Sequence, residues 1–309
     1  MRIIFMGNPE FARYHLERIL AEKFHVVAVV SAADKPGGRG MKIQSTPVTS
    51  YAKSKKIPCL QPKNLKNTDF QRKLQSYKAD IQVVIAFRML PEAVWNMPPL
   101  GTINLHASLL PQYRGAAPIN WAIINGERKS GVTTFRLKHE IDTGGILLQK
   151  ECLIDSNETA GSLHDKLMIL GANTMIETLH KISDQSIEEK PQDENKDLKN
   201  APKLFTHNTQ INWDMHGKKI LNFIKGLHPH PIAHTLLNGK KIQVYRARFS
   251  SQNHNQSSGI FFSDQKKYLA VSVPNGFIYL DEIKLQGKRK MNVSDLLNGY
   301  SVYGLEPIK

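Results

Sequence analysis

Through the first 183 residues, short apolar runs alternate with stretches of helical spacing, and this alternation restricts the chain to a sheet carrying helices on its faces. Arg2–Met6, His25–Ser31, Ile81–Ala86, Gly101–Leu105 and Gly131–Leu137 are brief, often β-branched and bounded by turn formers, so they read as strands. Between them, Pro9–Ala21, Pro47–Lys55, Asp69–Ser76 and Ala117–Asn125 have helical spacing, and a helix around Ser162–Ile182 closes the series. Such alternation predicts an α/β fold built on a mostly parallel sheet. The pattern then stops. Residues 184–200, DQSIEEKPQDENKDLKN, hold one Ile and one Leu among mixed charges and read as a solvated linker. Beyond them come one amphipathic helix, His216–Gly226, and short runs at Lys241–Phe249, Gly259–Phe262, Tyr268–Val273 and Phe277–Gln286. Several short strands after a single helix suggest a small β-barrel. The expected division is a domain over residues 1–183, a linker over 184–200 and a second domain over 201–309.

Several function classes drop out. No apolar run approaches the roughly 18 residues of a membrane span, and the short apolar start lacks the length and cleavage site of a leader. Two cysteines, Cys59 and Cys152, are too few for a disulfide scaffold or a four-thiolate zinc site. A cytoplasmic protein is expected. No G-x-G-x-x-G follows the first strand, and Gly37–Gly40 lacks the GK[ST] of a phosphate loop. His139-Glu140 is not part of H-E-x-x-H, and no G-x-S-x-G elbow exists. His228-Pro229-His230 reads as a turn with two solvated histidines, and no metal is expected.

The charge is less ordinary. It totals +15, and residues 201–309, with 15 basic and 6 acidic side chains, carry +9 of it. A basic second half is the electrostatic footprint of a polyanionic partner.

The informative stretch is Gly101–Gly115, GTINLHASLLPQYRG. Its strand delivers Asn104 and His106 to one face, because residues i and i+2 of a strand point the same way. They sit near the strand's carboxyl end, the edge at which open parallel sheets bind ligands. Taken singly, Asn104 reads as a strand-end turn residue and His106 as a surface histidine. Asp142, in the turn Ile141-Asp142-Thr143-Gly144, reads alone as a turn former. Together the three supply an oxyanion donor, a proton carrier and its orienter, without a nucleophile. The attacking group then belongs to the substrate, which points to transfer between two bound molecules.

The run NLHASLLPQYRGAAPINWAI and the later IDTG resemble the 10-formyltetrahydrofolate-dependent formyltransferases. Further matches are Gly7-Asn8-Pro9-Glu10-Phe11-Ala12, Gly38-Arg39-Gly40 with Pro47-Val48, Val84-Ile85-Ala86-Phe87, Gly131-Val132-Thr133, Ala201-Pro202-Lys203 and Ile211-Asn212-Trp213. The resemblance covers about the whole chain, and the second half narrows it to the branch that acts on tRNA. It implies a Rossmann-like formyltransferase domain followed by a C-terminal β-barrel of the oligonucleotide-binding type. It makes Asn104, His106 and Asp142 the catalytic set, and Ser108, Leu109, Leu110 and Pro111 the loop that contacts the folate, with Phe87 and Arg88 beside it. The implied reaction moves the formyl group of 10-formyltetrahydrofolate to the methionine of charged initiator methionyl-tRNA, in translation initiation.

Lys35, Arg39 and Lys42, on a glycine-rich loop too flexible to pack by itself, then suit the phosphates of an acceptor stem. Lys240, Lys241, Arg246 and Arg248 suit the same partner from the second domain. A formyltransferase acting on a small amino-sugar or nucleotide acceptor is the alternative, as are a formyl-folate hydrolase and a non-catalytic RNA binder. A monomer is the default, with no protein partner implied. Four places depart from the family pattern: Asn8 stands where a threonine is common in Gly7-Asn8-Pro9, Arg88 where a glycine is common, Gly145 where an aspartate is common, and Lys225-Gly226 where Arg-Ala is commoner.

Overall fold

The computed structural model describes residues 1–37, 42–193, 197–300, 302, 305, 307 and 308. Among these, the first half contains strands β1 (Arg2–Gly7), β2 (His25–Val30), β3 (Lys35–Gly37), β4 (Lys42–Gln44), β5 (Cys59–Leu60), β6 (Ile81–Ile85), β7 (Thr102–His106), β8 (Arg114–Gly115), β9 (Lys129–Arg136) and β10 (Ile146–Leu153). Its helices are α1 (Glu10–Ala21), α2 (Pro47–Ser54), α3 (Thr68–Ser76), α4 (Glu92–Trp95), α5 (Pro118–Ile124) and α6 (Ala160–Ser183). The second half holds β11 (Asn200–Ala201), β12 (Ala233–Leu237), β13 (Lys240–Ser251), β14 (Phe261–Ser263), β15 (Leu269–Val273), β16 (Gly276–Leu285) and β17 (Met291–Asn292), with α7 (Gly217–Gly226) and α8 (Val293–Gly299). The chain forms two compact units, one of residues 1–114, 131–152 and 165–200, the other of residues 115–130, 153–164 and 201–309.

The first unit is built on a seven-stranded sheet in the order β10-β9-β7-β6-β1-β2-β5. β5, β2, β1, β6 and β7 are parallel, and β9 returns antiparallel to β7. From β1 the chain moves outward through β2 to β5, then crosses to β6 on the other side, which leaves a switch in strand order of the kind that opens a ligand crevice. The central strands are buried on both faces, with Ile3, Phe5, Val29, Val30, Val83 and Ile85 all 0% exposed. Helices cover them with single apolar stripes: Phe11, Ala12, Leu16 and Ile19 from α1, Phe70 and Leu74 from α3. Thr46 accepts from Thr49 N at 3.0 Å ahead of Pro47, and Asn67 accepts from Phe70 N at 2.9 Å, so α2 and α3 start where short polar caps precede them.

Two stretches differ from their composition-based reading. The glycine-rich loop is structured at its described ends, since Lys35–Gly37 pairs antiparallel with Lys42–Gln44. Residues 184–200 are not simply a solvated linker. Ile146 and Lys190 exchange backbone hydrogen bonds at 2.7 and 2.9 Å, and Gln192 is buried. A polar segment joins a core in this way when its hydrogen-bonding groups find fixed partners.

In the second unit, β12-β13-β16-β15-β14 form an antiparallel sheet, with β17 paired to β16. Ile220 and Ile224 of α7, Ile242 and Val244 of β13, Ile278 and Ile283 of β16 and Leu296 of α8 share one apolar core. The helix α5, which precedes most of this unit in sequence, packs on α7, and Asn120 Nδ2 donates to Gly226 O at 2.7 Å. Ile242 is 0% exposed in that core. Ile242→Ala is expected to cost about 2–5 kcal/mol, read as a lowered urea midpoint with an unchanged slope. A loss under about 1 kcal/mol would contradict the packing described.

Candidate active site

Asn104 and His106 leave the same face of β7 at its carboxyl end, where β6 lies on one side and β9 on the other. The flanking strand residues Ile103 and Leu105 are buried, so the strand that presents the two polar groups is anchored by its alternate side chains. His106 is itself buried, and acceptors stand at both ring nitrogens. Its Nε2 donates to the carbonyl of Tyr113 at 2.8 Å, and its Nδ1 lies 3.7 Å from Asp142 Oδ2. Asp142 has φ +56°, a left-handed backbone that aims its carboxylate back from the β9–β10 turn. A Cβ on Gly144 would run into the carbonyl of Arg136, so the turn can close only on glycine. Asn104 completes the set in a different way. Its Oδ1 is buried and meets no hydrogen-bond partner within the protein, so the amide retains hydrogen-bonding capacity for an incoming group.

The loop after β7 is fixed from beneath. Thr133 Oγ1 donates to Ser108 O at 2.7 Å and accepts from Leu110 N at 3.2 Å and from Gln149 Nε2 at 2.9 Å. Gln149 also donates to Leu110 O at 3.0 Å, and Ser108 Oγ donates to Gln112 O at 2.6 Å. Ser108, Leu110 and Pro111 are buried, which leaves Leu109 and the loop backbone as the groups nearer the surface. Phe87 packs on the core beneath β6. Arg88 donates to the carbonyls of Pro62 and Lys63 and lies over the Phe87 ring, so its guanidinium ties two surface segments together. The roles of Gln149 and of Gln192 were not read from the sequence. An isolated glutamine carries no motif, and these two matter only through what they touch.

Of the basic residues singled out, Lys35 lies exposed on β3, while Arg39 and the side chain of Lys42 fall outside the described residues. In the second unit, Arg246 and Arg248 line one open cleft with Lys267, Asn292 and Ser294. Arg248 pairs with Asp281 at 2.9 Å and covers the Tyr279 ring. Lys240 and Lys288 approach the Tyr300 ring, and Lys241 is the half-buried neighbour of Lys240. Lys267, two residues ahead of β15, meets the arginines of β13 across the intervening β16, a juxtaposition that sequence spacing did not reveal. His228 is not solvated. It is half-buried against Tyr245, and burial pushes its imidazole below the usual range, with Lys290 adding to the effect. Among the described residues no group of three or more His, Cys, Asp or Glu could hold a metal ion, and no helix is long and apolar enough to cross a membrane.

A parallel sheet with Asn, His and Asp converging at its carboxyl edge, followed by a basic antiparallel unit, defines a group-transfer enzyme, and comparison with known proteins gives the class. The formyl transferase family model matches residues 1–179, and the model of the formyl transferase C-terminal domain matches residues 203–301. The chain belongs to the formyltransferase family. It is 48% identical over 303 residues to the methionyl-tRNA formyltransferase of Flavobacterium johnsoniae, covering 97% of this chain and 96% of that one. To the methionyl-tRNA formyltransferase of Bacteroides fragilis it is 45% identical over 308 residues, covering 97% and 95%. Among solved structures, a sugar 3N-formyltransferase crystallised in the presence of dTDP and 5-N-formyl-THF shares the fold. Its TM-score is 0.66 at 20% identity, over 94% of this chain and 99% of that one.

Thr133 is 0% exposed and ties the loop to the sheet through one hydroxyl. Thr133→Val keeps the shape and strands Leu110 N and Ser108 O. A loss of about 1–3 kcal/mol in thermal unfolding is expected, with reduced turnover. Unchanged stability would show that the hydroxyl does not hold the loop.

Proposed function

We propose that this chain transfers the formyl group of 10-formyltetrahydrofolate to the α-amino group of methionine on charged initiator tRNA. The carrying observation is the site itself: an Asn104 amide whose buried Oδ1 meets no partner, beside an imidazole flanked by Tyr113 O and Asp142. Such a set stabilises a developing oxyanion and handles a proton, and it contains no side-chain nucleophile. The similarity to methionyl-tRNA formyltransferases over nearly the full chain supports the acceptor. The 5-N-formyl-THF in the crystals of the sugar formyltransferase supports a folate donor.

In the proposed reaction, the methionine nitrogen attacks the formyl carbon. A carbon–nitrogen bond forms there, and the carbonyl electrons move onto oxygen. Asn104 Nδ2 would receive that oxyanion beside the His106 ring, and Asp142 would hold the ring in place. As the intermediate collapses, the bond from the formyl carbon to N10 breaks. The amine loses one proton and N10 gains one, so the exchange balances without any oxidant or metal. Leu109 and the backbone of residues 108–111 would line the folate side, with Phe87 and Arg88 at its margin.

The basic second unit would carry the tRNA. Arg246, Arg248 and Lys267 surround one cleft, and Lys240 and Lys241 extend the positive surface, while Lys35, Arg39 and Lys42 would meet the acceptor stem. A small amino-sugar acceptor requires no such charge, which ranks that alternative lower.

Removing one oxyanion donor typically costs about 10²–10³ in rate. Asn104→Ala and His106→Ala are each expected to lose at least that much kcat while circular dichroism stays native, and Asp142→Asn should behave similarly. Near-normal turnover in either alanine variant would sink the assignment. The acceptor is tested by offering 10-formyltetrahydrofolate with charged initiator or charged elongator methionyl-tRNA. Formylation of the initiator alone is expected, with tRNA affinity falling steeply between about 50 and 200 mM salt. A flat salt dependence would count against the second unit as a phosphate platform.

A further inference from the structure

The segment just after α6 touches the catalytic turn at three successive points. Lys190 exchanges two backbone hydrogen bonds with Ile146, and the Glu189 side chain fills the space that a Cβ on Gly145 would need. Gln192 then reaches the turn itself. Its Nε2 donates to Asp142 O and to Gly144 O, each at 2.8 Å. Its Oε1 accepts from Arg114 Nε at 3.1 Å and from Arg114 Nη2 at 2.7 Å. Gln192 is 9% exposed, and its two bonds to the turn are buried while those to Arg114 are partly so.

The partners leave no freedom in how this amide is oriented. A guanidinium only donates and a carbonyl only accepts, so the oxygen must face Arg114 and the nitrogen must face the turn. Arg114 directly follows Tyr113, whose carbonyl accepts from His106. The contacts therefore close a circuit around the imidazole: His106 to Tyr113, along the chain to Arg114, to Gln192, to the backbone of Asp142, and from the Asp142 carboxylate back to His106.

We propose that Gln192, held by Arg114, is a positioning residue that sets where the Asp142 carboxylate stands against the His106 ring. The inference rests on the proposed formyl transfer for its kinetic readout. Asp142 occupies a left-handed backbone conformation, which few residues with a Cβ other than Asn and Asp adopt. Two hydrogen bonds from one buried amide, one to Asp142 and one to the glycine two residues on, supply what fixes it. If the turn relaxed, the 3.7 Å contact with His106 Nδ1 would open, and misplacement by about 1 Å is enough to cost roughly 10²-fold in rate.

The test is Gln192→Glu, which keeps the shape and the Arg114 contact but sets a carboxylate oxygen against two carbonyls. Single-turnover formyl transfer is measured for the wild type, Q192E, D142N and the double variant. Q192E is expected to lose about 10- to 100-fold in the transfer rate, with KM for folate and for tRNA held within about twofold. On the D142N background the same change should cost less than about threefold, because the two residues act as one unit. A general structural defect would instead give equal losses on both backgrounds, and that result, like wild-type activity in Q192E, overturns the proposal. Failure of the wild type to transfer would remove the proposed reaction instead. The His106 imidazole ¹⁵N signals, recorded without substrates, then decide the positioning role: a shift in Q192E towards the D142N spectrum supports it, and a spectrum identical to wild type overturns it.

Discussion

An imidazole with an acceptor at each nitrogen can neither rotate nor flip without abandoning one of them, and much of the first unit is arranged to keep His106 in that position. The two acceptors come from different segments: Tyr113 from the loop after β7, Asp142 from the turn between β9 and β10. Each must be delivered to within a few ångströms of the end of a third segment, β7. The parallel sheet does the first part, because β7 is anchored by buried Ile103 and Leu105 and ends at the carboxyl edge, where open parallel sheets bind ligands. The antiparallel return of β9 does the second, by setting Thr133 opposite His106 and carrying the chain on into the Asp142 turn. One hydroxyl and one amide, on Thr133 and Gln192, then fasten the loop and the turn. These are short-range, directional bonds in a dry setting, where a missing partner costs more than a present one contributes.

The second unit works on another physical scale. Its cations are mostly exposed, and surface pairs such as Arg248 with Asp281 and Lys290 with Glu282 engage some of them. Exposed charges of this kind contribute little to folding. They set a field that reaches about 8–10 Å into physiological salt. A surface that does little for stability yet carries +9 over 109 residues fits selection for a partner better than selection for fold. The antiparallel sheet gathers cations that are distant in sequence, Arg246, Arg248 and Lys267, onto one cleft. In the proposed reaction the two scales divide the task, with diffuse charge gathering a large acceptor and directional bonds acting on one carbonyl.

How much of this was legible in the chain depended on whether the signal was local. Strand and helix periodicity is local, and it outlined the parallel sheet, α1, α2, α3 and most of the second unit. Asn104 and His106 were legible for the same reason, since a period of two on one strand sets both on one face. Asp142 was ambiguous alone and gained its role through the resemblance. β12 was missed, although Asn238-Gly239, both at positive φ between β12 and β13, is a strong hairpin signal when flanked by strand-forming residues. Gln192 was beyond reach, because composition marked its segment as solvated and its partners lie 50 and 78 residues away. A polar residue that is buried by its hydrogen bonds looks, in sequence, like one that is exposed.

Gly145 shows how such a distant contact can alter the reading of a motif. Considered alone, the glycine removes a carboxylate from a position where related chains often have an aspartate. In the structure, the volume beside Gly145 is taken by the Glu189 side chain, whose carboxylate lies 3.2 Å from Arg136 Nε. A side chain at 145 would have to push the Glu189 side chain aside. The negative charge has not left the turn; it arrives from the segment that also carries Gln192. That coupling gives the segment a reason to lie where it does. Lys190 holds it to Ile146 by backbone bonds, Glu189 needs the missing Cβ to approach, and both contacts bring Gln192 to the carbonyl of Asp142. What reads as a loss in a motif of four residues is, in three dimensions, the opening through which the turn is held.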